Sequence, residues 1–269
     1  MWTTTPSSIL LSLLFLSSVL GKVAEPKSRK TDACQPRKTT FSSSRSGYTP
    51  IKPSTISLSH QGIELHLARP EGKISVLKDG TNDKQSVGAT VNSTFSLWYG
   101  KVSFEISAPT VPGVITAAIL ISDSSNHQEE IDIEILGSQP HAFQTNVFAP
   151  AAKDKGEEPL YGVLGGTSKL KGSETISDLH RYTIDWNKDR IIWTVDGKHA
   201  RTLKKNETTI NGALHYPSHP MRLQFGIWDA SSPVGTSEWA GGPIKWNGKG
   251  GSHLGTITAV VRSIEVECP

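Results

Sequence analysis

From residue 129 to residue 136 the chain reads Glu-Glu-Ile-Asp-Ile-Glu-Ile-Leu. Acidic and apolar residues alternate there with period two, the period of a β-strand. Ile131, Ile133 and Ile135 then project to one face, and Glu130, Asp132 and Glu134 to the other. The isoleucines belong in a core. The acids stand in a row, with successive Cα atoms about 6.6 Å apart at roughly 3.3 Å per residue. Like charges in line repel, and more strongly in a cleft with restricted water. The row can respond by keeping at least one acid protonated at neutral pH. A carboxylate beside a carboxylic acid is the equipment for retaining cleavage of a glycosidic bond, with the two carboxyl groups roughly 5–5.5 Å apart. The Cα atoms of Glu130 and Glu134 are about 13 Å apart on a strand, so converging glutamate arms must close the gap. Asp132, on a shorter stem, can hydrogen-bond to the nucleophile and adjust both pKa values. On spacing alone two other readings stay open: a solvated acidic strand face, and a calcium site. A calcium site calls for oxygens from a tight loop, and the alternation offers none nearby.

The elements that would position these acids are strands. Short alternating segments recur, separated by Gly, Pro, Asn and Ser: 63–67, 73–77, 99–106, 114–122, 130–136, 142–148, 180–186, 190–195, 221–228 and 256–266. Turn signals stand between several of them, as at Asp79-Gly80 and Asp196-Gly197. Alternation gives each strand one buried and one wet face. With no helical period and no βαβ alternation, the fold class is all-β, a two-sheet sandwich. The stretches Ala149–Ser177 and Asp229–Gly255 read as long loops of the kind that carry function.

The chain has 269 residues and a net charge of +3. The apolar run Ile9–Leu20 ends in small residues, although the basic n-region usual in such segments is missing. It is too short for a membrane span, which needs roughly 20 residues. Residues 1–21 therefore read as a cleaved secretory signal and 22–45 as a flexible basic leader, with the sandwich over 46–269. No aromatic residues interleave the basic ones, which argues against nucleic acid as a partner. The two cysteines, Cys34 and Cys268, flank the strand-like region, and an oxidising compartment allows them to pair; two free thiols are the alternative. Asn92-Ser93-Thr94 and Asn206-Glu207-Thr208 are N-glycosylation acceptors, which predicts that both asparagines lie on the surface.

An ordered series of segments resembles glycoside hydrolase family 16. Within it the likeness is to the fungal Crh-type cell-wall glucan/chitin transglycosylases, and more distantly to xyloglucan endotransglycosylases and β-glucanases. Trp98-Tyr99-Gly100-Lys101-Val102 looks like the family's strand entering the active face. Pro112-Gly113-Val114 looks like the turn after it, and Glu130–Gly137 like the signature in its unbulged form. Gln144–Phe148, His180–Trp186, Ile192–Gly197 and Gly226-Ile227-Trp228 follow in order. The resemblance implies a concanavalin A-like jelly roll with a concave substrate cleft and a retaining mechanism. It makes Glu130 the nucleophile, Glu134 the acid/base and Asp132 the helper; spacing cannot tell the two glutamates apart. It also places Gln144 and Asn146 in the cleft beside Glu134, and Trp228, Trp239 and, more weakly, Glu238 at sugar subsites. Sugar rings present apolar faces to aromatic side chains. Trp186 and Trp193 alternate with Ile184, Ile192 and Val195 and read as core. His215 and His219 lack a third ligand for a metal.

The expected protein is a secreted monomer of the extracellular space or cell wall that acts on β-glucan or chitin chains. No cofactor, metal, membrane or nucleic-acid partner is expected. Crh-type proteins commonly end in a Ser/Thr-rich tail with a lipid-anchor signal; residues 1–269 show none, so a soluble protein is expected. A non-catalytic glucan-binding lectin on the same sandwich is the alternative.

Overall fold

Period-two alternation becomes a pair of stacked antiparallel sheets. The computed structural model describes residues 34–42, 44–122, 128–150, 162–247 and 255–269, and the expected signal and most of the basic leader fall outside them. The chain opens with β1 (Arg37–Thr40), β2 (Tyr48–Pro50), β3 (Ile56–Ser59) and β4 (Gly62–Leu67). The long central strands follow: β5 (Ala89–Leu97), β6 (Gly100–Ser107), β7 (Val114–Ser122), β8 (Glu130–Leu136) and β9 (Ala142–Phe148). After β10 (Gly166–Lys169) come β11 (His180–Trp186), β12 (Arg190–Val195) and β13 (Lys198–Lys204), then a small ribbon of β14 (Thr209–Ile210) and β15 (Ala213–Leu214). The last elements are β16 (Met221–Asp229), a short helix α1 (Val234–Trp239) and β17 (Ile257–Glu267).

The front sheet runs β10-β9-β8-β7-β16-β5-β2, and the back sheet runs β13-β12-β11-β6-β17-β4-β3 with β1 added beside β17. Between them Trp186, Trp193, Phe41, Phe104, Phe143 and Phe225 are fully buried with the inward isoleucines, Ile131 and Ile133 among them. Trp186 and Trp193 are thus core, as their alternation predicts. A disulfide joins Cys34 to Cys268 across a sequence separation of 234.

Several expectations are corrected. Residues 37–40, expected in a flexible leader, form β1, because the disulfide holds them beside β17 and the Arg37 guanidinium lies 3.6 Å over the Phe95 ring. Residues 73–77 are no strand: Val76 makes a single bridge to Asn82, and Val76 and Leu77 stay exposed with no sheet to cover them. The segment after Trp98 does not enter the active face. Tyr99, at φ 62°, turns the chain, and β6 joins the middle of the back sheet. The expected loop 149–177 contains β10, and 229–255 contains α1. One wet face per strand also fails for β7 and β8, most of whose residues are buried on both sides.

Candidate active site

Register assembles the site. Across the front sheet Asn146, Asp132, Ile119, Gln224 and Asn92 stand side by side, from β9 through β8, β7 and β16 to β5. The next row is Gln144, Glu134, Ala117, Gly226 and Thr90. Glu130 lies two residues along β8 on the same face, opposite Phe148 and Ile121. A hollow of about 310 Å³, measured out to solvent, is lined by Glu130, Glu134, Thr90, Ala117, Gln224 and Trp228. Its floor beside Glu134 is made of small residues, Ala117 and Gly226. A Cβ on Gly226 would stand 2.5 Å from the backbone oxygen of Ala89, so only glycine lets β5 approach there.

The acids are poorly solvated. Asp132 is 3% and Glu134 5% exposed, and Glu130 is partly buried. Burial, then the charge of Glu130, raises the Glu134 carboxyl from an ordinary 4.5 to about 8. Burial also lifts Asp132 well above the usual carboxylate range, reinforced by Glu130 and Glu134 and by a hydrogen bond with Glu130 that favours its protonated form. Glu130 is raised by burial too, but the same hydrogen bond stabilises its charge and works against the rise. The three like residues are therefore unequal: burial disfavours charge on all of them, and the hydrogen bond from Asp132 favours it at Glu130 alone.

Neighbours hold this row in place. The Trp193 indole N–H, from β12 of the back sheet, donates through the core to the Asp132 carbonyl at 3.1 Å. Arg201 of β13 stacks over the Trp193 ring at 4.9 Å and donates to Thr145 and Leu164 on the front side. Trp239, at the end of α1, donates its indole N–H to Gln144 Oε1 at 2.9 Å and stacks on Trp228 with centroids 6.1 Å apart. Glu129 is buried and faces away from the row. Its carboxylate accepts the backbone N–H groups of Ser218 and His219 at 2.9 and 2.8 Å, and His219 Nδ1 lies 2.8 Å from it. Nδ1 of His215 faces the Ala149 carbonyl at 2.9 Å.

Of the residues expected at the site, Glu130, Asp132, Glu134, Gln144, Asn146, Trp228 and Trp239 come together on one face. Glu238 is exposed on α1 and is not among the residues lining the hollow. Asn206 is exposed, and Asn92 is half-buried on the side of β5 that carries the acids, where the strand's alternation turns it toward Gln224. Sequence reasoning missed Gln224, although it stands four residues before Trp228 on the same strand face. It also missed the small floor residues. Trp193 was read as core, and its role toward Asp132 had no signal in the sequence.

Unequal acids, an aromatic pair and amides around one hollow on an antiparallel sandwich mark the class of carbohydrate-active β-sandwich proteins. Residues 45–251 match the family of glycosyl hydrolases family 16, and the chain belongs to it. Crh-like protein 2 of Aspergillus fumigatus is 38% identical over 194 residues, 70% of this chain and 41% of that protein. A probable glycosidase, CRR1 of Saccharomyces cerevisiae, is 37% identical over 68% of this chain and 42% of its own length. The chain thus spans about two fifths of the curated relatives it matches. Among solved structures, a Crh5 transglycosylase in complex with NAG aligns with TM-score 0.68 and 27% identity over 88% of each chain. A prokaryotic β-1,3-1,4-glucanase with 18% identity and TM-score 0.64 shares the fold.

Proposed function

We propose that the chain is a retaining glycosidase and transglycosylase acting on β-1,3/1,4-glucan or chitin chains of the cell wall, in the extracellular space. The observation that carries this reading is the row of Glu130, Asp132 and Glu134 on one face of β8, with Glu130 and Glu134 lining one hollow and the Glu134 carboxyl raised by burial to about 8. The Glu130 carboxylate attacks the anomeric carbon while the Glu134 carboxylic acid gives its proton to the leaving oxygen. The C1–O bond breaks, and an ester bond forms between C1 and Glu130. Asp132 donates its hydrogen bond to Glu130 and steadies its charge until attack. Glu134, now a carboxylate, takes a proton from water or from a sugar hydroxyl, which attacks C1 and releases Glu130. Gln144, oriented by Trp239, offers its amide N–H groups to sugar hydroxyls, and Trp228 offers a stacking surface. The likeness to Crh-like proteins and to a Crh5 transglycosylase supports transfer as well as hydrolysis.

The test is mass spectrometry of products after mixing the protein with laminarin, chitin oligosaccharides and a labelled acceptor. Longer labelled products are expected, with shorter ones from hydrolysis, and loss of both in Glu130→Gln and Glu134→Gln. Wild-type turnover by either variant would refute the assignment, and unchanged sugars with the wild type would favour a lectin.

A further inference from the structure

The row that carries Asp132 across the front sheet crosses a modification motif on β5, the last strand but one. Asn92-Ser93-Thr94 is an N-glycosylation acceptor, and Asn92 is reached from Asp132 through Ile119 and Gln224. Three strand spacings separate the two, about 14 Å at roughly 4.8 Å per strand. Asn92 sits within β5, between β16 and β2, on the side from which the acids project. Its Oδ1 accepts a hydrogen bond from Gln224 Nε2 at 2.7 Å. An N-linked glycan attaches to Nδ2 and leaves Oδ1 an acceptor, so the bond that fixes this amide is compatible with a sugar on its nitrogen. With the Asn92 side chain half-buried on the face that carries the acids, a glycan attached to it stands over that face of the sheet. Asn206 differs: it is exposed on a turn after β13, the edge of the back sheet.

We propose that Asn92 carries an N-linked glycan and that this glycan occupies the end of the groove, limiting how much of a donor chain lies across the front sheet. Transfer from a lipid diphosphate-linked oligosaccharide forms the Nδ2–C1 bond, breaks the C1–O bond to the diphosphate and releases the Nδ2 proton to solvent. It takes place on the unfolded chain during secretion, before β5 is enclosed by its two neighbours, so the half-buried final position is no bar. The consequence for the activity rests on the sugar-cleaving reading above: the protein acts on short donors and chain ends in preference to the middle of long polymers.

The experiment uses the full chain secreted from a glycosylating eukaryotic host. Glycopeptide mass spectrometry reads occupancy at Asn92. Thr94→Ala removes the acceptor motif at an exposed residue and leaves Asn92 and the groove unaltered. An occupied Asn92 is expected in the wild type. Thr94→Ala should gain about tenfold in kcat/KM on long laminarin, the scale of a pair of restored sugar contacts, and stay unchanged on short oligosaccharides. Enzymatic deglycosylation of the native wild type should reproduce that change. An unmodified Asn92 overturns the proposal. So does an occupied Asn92 whose removal leaves the chain-length preference as it was. A wild type inactive on every donor would count against the catalytic reading instead. The same comparison is then read as the affinity for long over short laminarin oligosaccharides, by tryptophan fluorescence, and equal ratios before and after deglycosylation overturn the proposal.

Discussion

Glu134→Gln should make the protein more stable at neutral pH while abolishing its chemistry. The folded protein holds the Glu134 carboxyl at about 8 against an ordinary 4.5, through burial and the neighbouring Glu130. Below 4.5 both folded and unfolded chains carry the proton, and the residue costs nothing. Between 4.5 and 8 the unfolded chain ionises while the folded one keeps its proton, so stability falls by about 1.4 kcal/mol per pH unit. At pH 7, two and a half units above 4.5, the cost has reached about 3 kcal/mol. Glutamine is neutral throughout and mimics the protonated acid, so the variant escapes this cost. For a domain of this size each kcal/mol moves the midpoint by roughly 2–4 °C, which gives a gain of about 6–12 °C at pH 7 and almost none at pH 4. Because Glu130 and Asp132 titrate with Glu134, the gain belongs to the whole row. The assay is thermal unfolding followed by circular dichroism, wild type against variant, from pH 4 to pH 8. A difference that stays flat across that range, or that shrinks as pH rises, would refute the argument. A gain confined to neutral pH would show stability given up for reactivity.

Trp193→Phe keeps an aromatic core and removes the N–H that reaches the Asp132 carbonyl; we expect kcat to fall about tenfold with KM unchanged, alongside a loss of about 1–3 kcal/mol, and an unaltered kcat would remove Trp193 from any part in holding the acids. Cys34→Ser with Cys268→Ser opens a cross-link spanning a separation of 234 residues; chain entropy puts the loss at about 5 kcal/mol, so the melting midpoint should drop by about 10–20 °C with turnover at 25 °C retained, and an unmoved midpoint would contradict this.

Much of both sheets was legible because their signals are local. The boundaries of β7, β8, β9, β11 and β12 follow directly from period-two alternation, and the placing of Glu130, Asp132 and Glu134 on one face follows from strand geometry. What the sequence hid depends on partners. The polar run of β5 carries no clean alternation of apolar residues, and only its pairing with β16 and β2 makes it a strand. The segment 73–77 alternates well yet joins no sheet, so it stays irregular apart from the single bridge from Val76 to Asn82. The inequality of the acids is also non-local. The motif gives three equivalent carboxyls, and the burial that separates them comes from strands brought together by the fold.

The hollow beside Glu134 exists because side chains are missing from it. Ala117 and Gly226 come from neighbouring strands, and neither hydrogen-bonds with its side chain nor carries charge, yet together they decide how deep a ring can settle against the acids. A methyl or two added at position 117 would raise the floor and reject bulkier ring substituents while leaving every proton on β8 where it was. If the protein acts on sugars as proposed, ring fit and bond cleavage are set on different strands, and position 117, unlike Gly226, can change without disturbing the acids.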